Sequence, residues 1–187
     1  MKQDINSIHL RTGRPGDSAD REAVATITRT AFLVNPETGV PIEGDTPKEL
    51  PMVQALFDRS AVDHLHLAVR GDQVVGYVLY TRGTLTGNPG VHVQGLTIMG
   101  IAPRLQRQGI GTRLLLWSVR QMRGSCDALF VLGHPRFYPL AGFEPSDALG
   151  ISFSFPAPRE ACMMAPLGDR PLLPGVLSYH PIVHEFF

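Results

Sequence analysis

The sequence predicts an α/β fold of the α+β kind, a mixed and mostly antiparallel sheet flanked by helices, and three observations carry that expectation. Segments 65–70, 73–82 and 91–101 are rich in Val, Ile, Leu and Tyr, and glycine-bearing turns join them into a meander. Ile110, Leu114, Leu115, Val119 and Met122 then recur at helical spacing up to Gly124. A short apolar run at 128–132 follows and reads as a buried strand.

Segment 7–11 is a short strand, and Asp17, Ser18 and Asp20 offer N-caps for a helix through Ala23, Ile27 and Ala31 that stops before Pro36. From 35 to 51, prolines at 36, 41, 47 and 51 and glycines at 39 and 44 predict a long irregular loop of the kind that carries specificity. A short helix is expected at 53–57. Gly71-Asp72 turns the chain between the first two meander strands, and Gly87-Asn88-Pro89-Gly90 forms the hairpin before the third. The helix after Pro103 therefore links two strands of one sheet.

With 187 residues the chain is about one domain long, and residues 1–187 are read as a single domain with a tail at 169–187. Lys+Arg and Asp+Glu both count 17 and 43% of residues are hydrophobic, so a global nucleic-acid or membrane-surface reading has no support. The first residues lack the apolar stretch of a signal peptide and no segment has the length of a membrane span, so a cytoplasmic location is expected. Cys126 and Cys162 are far apart without CxxC spacing, which predicts two buried free thiols. The histidines are scattered and imply no metal.

The even net charge hides a local asymmetry. Between Asp72 and Asp127 there is no acidic residue, yet Arg82, Arg104, Arg107, Arg113, Arg120 and Arg123 all fall there. Such a stretch suits an anionic ligand, although a solvated basic face has the same composition. Within it, Gln106, Arg107, Gln108, Gly109, Ile110, Gly111 and Thr112 open the predicted helix. A helix's first turn presents unpaired N–H groups and the positive end of its dipole, and glycines let an anion approach without a Cβ in the way. The segment is thus a candidate anion nest, best matched to a diphosphate. It is neither GxxxxGK[ST] nor GxGxxG, so the P-loop and Rossmann readings lose their defining spacing.

Ile98-Met99-Gly100-Ile101-Ala102-Pro103 followed by Gln106-Arg107-Gln108-Gly109-Ile110-Gly111 resembles the strand and Gln/Arg-x-x-Gly-x-Gly/Ala pyrophosphate loop of the GNAT superfamily of N-acetyltransferases. Tyr138-Pro139-Leu140-Ala141-Gly142-Phe143 matches that family's Tyr-x-x-x-Gly-Phe segment. Segments 131–135 and 151–158 are similar to its YhbS-like branch, and the resemblance is specific from about 91 to 165. It implies a GNAT fold whose sheet splays open between the 91–101 and 128–132 strands, with acetyl-CoA as co-substrate in the gap. Main-chain groups of Met99, Gly100 and Ile101 would pair with the amide-rich pantetheine arm as an added strand, and residues 106–112 would hold the pyrophosphate. Tyr138 would be the acid for the departing thiolate, and packing beside Phe137 and Phe143 is its structural alternative. His134 stands where other members carry an asparagine toward the pantetheine arm, and it would either replace that contact or cap the following helix.

The expected base is missing. Many members place a glutamate in the strand before the loop, and Gly95 occupies the aligned position. His92, a water held by Gln94 or Thr97, Glu43 and Asp45 of the loop, and tail residues His180 and His184 remain as candidates. Without a base, neutralising an amine at pH 7 costs roughly 4.6 kcal/mol for a lysine of pKa ~10.4 but only about 1 kcal/mol for an α-amino group near 7.8. The expected activity is acetyl transfer to a small-molecule or peptide amine, and the alternative is a non-enzymatic acyl-CoA sensing module. No membrane or nucleic-acid partner is expected, and a homodimer through the apolar tail is left open.

Overall fold

A computed structural model describes residues 7–33 and 46–186. In chain order the elements are β1 (Ile8–Thr12), α1 (Ser18–Ala31), α2 (Glu49–Asp58), β2 (His64–Arg70), β3 (Gln73–Leu85), β4 (Val93–Ile101), α3 (Ile110–Met122), β5 (Ala128–Leu132), β6 (Glu144–Pro145), β7 (Ile151–Phe153), β8 (Cys162–Pro166), β9 (Gly175–Ser178) and α4 (Pro181–His184). The main sheet runs β1-β2-β3-β4-β5-β8-β6, and β9 joins the far end of β3 to β7. Strands β1 to β4 are antiparallel neighbours, as the turns at 71–72 and 87–90 predict. The α3 crossover then delivers β5 parallel to β4, and β8 returns antiparallel to β5.

Each face of the sheet buries its own core. Val24 and Ile27 of α1 and Val53 and Leu56 of α2 pack on Leu65, Leu67, Tyr77 and Phe130. Leu114, Leu115 and Val119 of α3 pack on Val78, Tyr80, Leu96 and Leu129 of the other face. The alternation along β4 decides this split, with Val93 facing α1 and α2 and Leu96 facing α3.

Local chemistry explains where the elements begin. Asp17 caps α1, its carboxylate accepting from the N–H groups of Ala19 and Asp20. Asp20, an equal cap candidate by sequence, instead turns inward to the Arg11 guanidinium, which ties β1 to α1 and holds that carboxyl below its usual range. Helix α2 starts at Glu49, four residues before the predicted short helix, because Pro51 falls in its first turn, where proline is tolerated. Cys126 is buried and Cys162 only half-buried, a partial correction to the expected pair of buried thiols, and both are free.

Under α3, His66 is 2% exposed; its Nδ1 lies 2.8 Å from Ser118 Oγ, which is 2.6 Å from Tyr80 Oη. Burial, with a smaller contribution from His64, holds the His66 imidazole down to about 4. Between the ordinary value of about 6.5 and that level the unfolded chain binds a proton that the folded chain does not. Stability is therefore lost as pH falls through this window, by roughly 3 kcal/mol in total. Urea unfolding across pH 7 to 4 is expected to show that slope, and His66→Gln is expected to flatten it.

Candidate active site

The site begins with a ladder that stops early. Strands β4 and β5 pair only at Val93↔Ala128, Gln94↔Leu129 and Gly95↔Phe130. On its other edge β4 continues along β3 to Ile101↔Gly76, with a register shift that leaves Thr97 without a partner between the Leu96 and Ile98 pairs. A bulge of this kind bends its strand and sharpens the twist, which carries residues 96–101 away from β5. Met99, Gly100 and Ile101, the predicted pairing residues, therefore lie on the part of β4 that β5 does not cover.

The open edge leads into the predicted nest. Gln106 donates from Nε2 to the Ile101 carbonyl at 3.0 Å and Gln108 to the Arg104 carbonyl at 2.9 Å, so both amides brace the loop. Arg107 holds φ +57°, a conformation that costs a non-glycine residue about 1–3 kcal/mol and clusters at ligand sites. Gly109 follows at φ +80° as the N-cap of α3 and provides no side-chain cap. Nothing lies within 4 Å of the position that a Gly109 Cβ would take. The N–H groups of Ile110, Gly111 and Thr112 are thus presented without a capping side chain, in contrast to α1. The exposed side chains of Arg104, Arg107 and Arg113 add positive charge. Uncapped amides, a cradle free of side chain and three arginines fit a diphosphate.

A third part joins from the turn after β5. The position a Gly111 Cβ would take is 3.5 Å from Met99 Cε, 3.6 Å from Ile101 Cγ1 and 3.8 Å from Phe137 Cζ, so β4, α3 and this turn converge. Tyr138 is half-buried there, edge-on to Phe137 at 5.2 Å and to Phe143 at 5.7 Å. Its ring lies against Gly133, where a Cβ would collide with it. Burial pushes the Tyr138 phenol up to about 12, so it stays protonated throughout neutral pH. Among the described residues its hydroxyl has no hydrogen-bond partner. His134 is exposed, and its carbonyl accepts from the N–H groups of Phe137 and Tyr138. The N-cap of the following turn is Phe137, which makes no side-chain cap bond of its own.

The base candidates are dispersed. His92 is exposed at the start of β4, and Gln94 donates to Asp63 at 2.9 Å. Both line a cavity of about 340 Å³ with Asp63, His64, Arg82 and Ser125, at the end of β4 away from the nest. Thr97 Oγ1 bonds Thr81 Oγ1 at 2.8 Å. His180 Nδ1 accepts from the Ile182 N–H at the start of α4, and His184 packs edge-on to Phe155 at 5.8 Å. Glu43 and Asp45 lie outside the described residues. The residue that sequence reasoning missed is Tyr179, whose ring fills the space beside Gly95 where a glutamate was sought. The only sequence signal was the glycine itself.

The described helices include none long and apolar enough to cross a membrane. Residues 27–141 match the model of the acetyltransferase (GNAT) family. The N-acetyltransferase YjhQ of Escherichia coli K12 is 36% identical over 135 residues, 67% of this chain and 74% of that protein. The fold is similar to the crystal structure of Escherichia coli YhbS in complex with CoA, with TM-score 0.81 at 20% identity over 97% of this chain and 94% of that one. It is similar also to a Brucella melitensis acetyltransferase in complex with acetyl-CoA, with TM-score 0.70 at 22% identity over 94% and 97%. Of the two expected activities these matches favour the enzymatic one, and the chain belongs to the GNAT family of acetyltransferases.

Proposed function

We propose that the chain transfers the acetyl group of acetyl-CoA to a primary amine of a small molecule or peptide by direct attack, as one catalytic domain. The observation that carries this reading is the β4/β5 ladder that ends after three pairs, upstream of an uncapped helix N-terminus. The open edge of Met99, Gly100 and Ile101 suits the amide-rich arm of the co-substrate, which would add as a strand. Main-chain N–H groups along that edge can polarise the thioester carbonyl as charge develops on its oxygen. Gln106, Arg107, Gln108, Gly109, Ile110, Gly111 and Thr112 hold the pyrophosphate, and the exposed His134 contributes a further contact to the co-substrate.

Two protons then need handling. Tyr138 donates toward the departing sulfur; its phenol is protonated at working pH and its hydroxyl is not engaged elsewhere among the described residues. For the proton on the amine, the atoms nearest to where a Gly95 side chain would stand are those of the Tyr179 and Phe130 rings, which supports an acceptor that is already neutral at pH 7. An α-amino group near 7.8 meets that condition at about 1 kcal/mol, and a lysine side chain at ~10.4 does not. Thiol release from acetyl-CoA against amines of graded pKa tests this at pH 7. Release is expected to be several-hundred-fold faster for low-pKa amines of similar shape, as the difference of roughly 3.6 kcal/mol implies. Equal rates for lysine-like amines would overturn the assignment of acceptor class.

A further inference from the structure

The β4/β5 ladder stops at a particular side chain. Had it continued, the next pair after Gly95↔Phe130 would set Leu96 opposite Val131, and the Leu132 N–H would donate to the Leu96 carbonyl. Instead the Leu132 N–H donates to Tyr179 Oη at 2.9 Å, and Tyr179 Oη donates to the Leu96 carbonyl at 3.3 Å. A tyrosine hydroxyl thus stands inside the rung that the two strands would otherwise form. Both backbone groups are satisfied through that oxygen, which holds the strands apart by its width.

The rest of the tail is arranged to hold it there. Strand β9 pairs with β3 at Thr84↔Ser178 and Leu85↔Leu177, which places the next residue, Tyr179, at the fork. His180 then starts α4, and Arg59 pairs with Glu185, fixing the chain on α2. The Tyr179 ring is 5% exposed and lies 4.6 Å, centroid to centroid, from Phe130. A Cβ on Gly95 would come within 2.5 Å of Tyr179 Cε1 and 2.9 Å of Phe130 Cζ, so glycine at 95 is what admits the ring.

We propose that Tyr179 is a positioning residue that keeps the β4/β5 slot open for the pantetheine arm by occupying the first missing rung of the ladder. The inference rests on the acetyl-CoA reading above, because it assigns the slot's width to that ligand. Tyr179→Phe keeps the ring against Gly95 and Phe130 but removes the oxygen, leaving Leu132 N–H and Leu96 C=O to close on each other.

Calorimetric titration with two ligands separates positioning from general stability. Acetyl-CoA needs both slot and nest, whereas 3′-phosphoadenosine 5′-diphosphate, its nucleotide half, needs only the nest. In Tyr179→Phe the Kd for acetyl-CoA is expected to rise about tenfold, with the Kd for the nucleotide unchanged. Unchanged affinity for both, or an equal loss for both, would overturn the inference. Failure of the wild type to bind acetyl-CoA would instead overturn the functional reading itself. Should Tyr179→Phe fail to fold, Gly95→Ala decides the matter, since it pushes on the ring while keeping the hydroxyl. It is expected to weaken acetyl-CoA and spare the nucleotide in the same way, and any other pattern counts against the wedge.

Discussion

Gly109→Glu is expected to weaken acetyl-CoA binding by at least about a hundredfold while leaving the fold in place. The two halves of that result have separate causes. Gly109 holds φ +80°, so any side chain adds roughly 1 kcal/mol of backbone strain, but the space around its Cβ is open and nothing is displaced. A carboxylate at the N-terminus of α3 also interacts favourably with the helix dipole, which offsets part of the strain. The same carboxylate occupies the nest that the pyrophosphate would use and repels it. Comparing calorimetric titrations and thermal unfolding of the variant and wild type reads both halves. Retained acetyl-CoA affinity in a folded variant would remove the nest from the account.

Tyr138→Phe is expected to lower kcat by one to two orders of magnitude, with the Kd for acetyl-CoA unchanged. The magnitude follows from what the acid must do. A thiolate with an ordinary pKa near 8.5 is a competent leaving group, so a proton donor helps it by less than it would help an alkoxide. A phenol pushed up to about 12 gives its proton less readily still, which sets the effect at the lower end of general acid catalysis. The same shift has a pH consequence. A group whose pKa is raised keeps its proton further into base, so the wild type is expected to show no loss of kcat from this tyrosine through pH 10. A pH profile falling near 10 that disappears in Tyr138→Phe would contradict the burial described here; an unaltered kcat would return Tyr138 to a packing role.

The parts of the fold that were legible in the sequence are those where one physical signal dominates. The β3–β4 hairpin follows from turn glycines flanking apolar strands, and α3 and β5 follow from a change of apolar period after Pro103. The start of α3 was legible for the same reason, since Gly109 stands directly before the new apolar period and caps the helix. Elements defined by tertiary pairing were harder. Asp17 and Asp20 look alike as caps, and only the approach of Arg11 decides between them. Prolines at 47 and 51 read as loop, although the second sits comfortably in the first turn of α2.

Gly95 and Tyr179 mark the boundary most clearly. From the sequence, Gly95 reads as a carboxylate that is absent. In the fold it is a position kept free of side chain for a ring that arrives from 84 residues further along the chain, by way of β9. No periodicity in the tail announces that approach, because the residues that place Tyr179 are the pairings of β9 with β3 and β7. From the apolar tail, for which a homodimer was left open, Leu177, Tyr179, Ile182 and Val183 pack into the chain's own core.

One site for acetyl-CoA at the fork between β4 and β5 and the N-terminus of α3 is what the proposed function requires. Calorimetric titration of acetyl-CoA into the wild-type protein tests it most directly. Saturable one-to-one binding that competes with the 3′-phosphoadenosine 5′-diphosphate half of the molecule is expected. Absence of binding at millimolar acetyl-CoA would contradict it, and the arginines and glycines of the loop would then need a different anion.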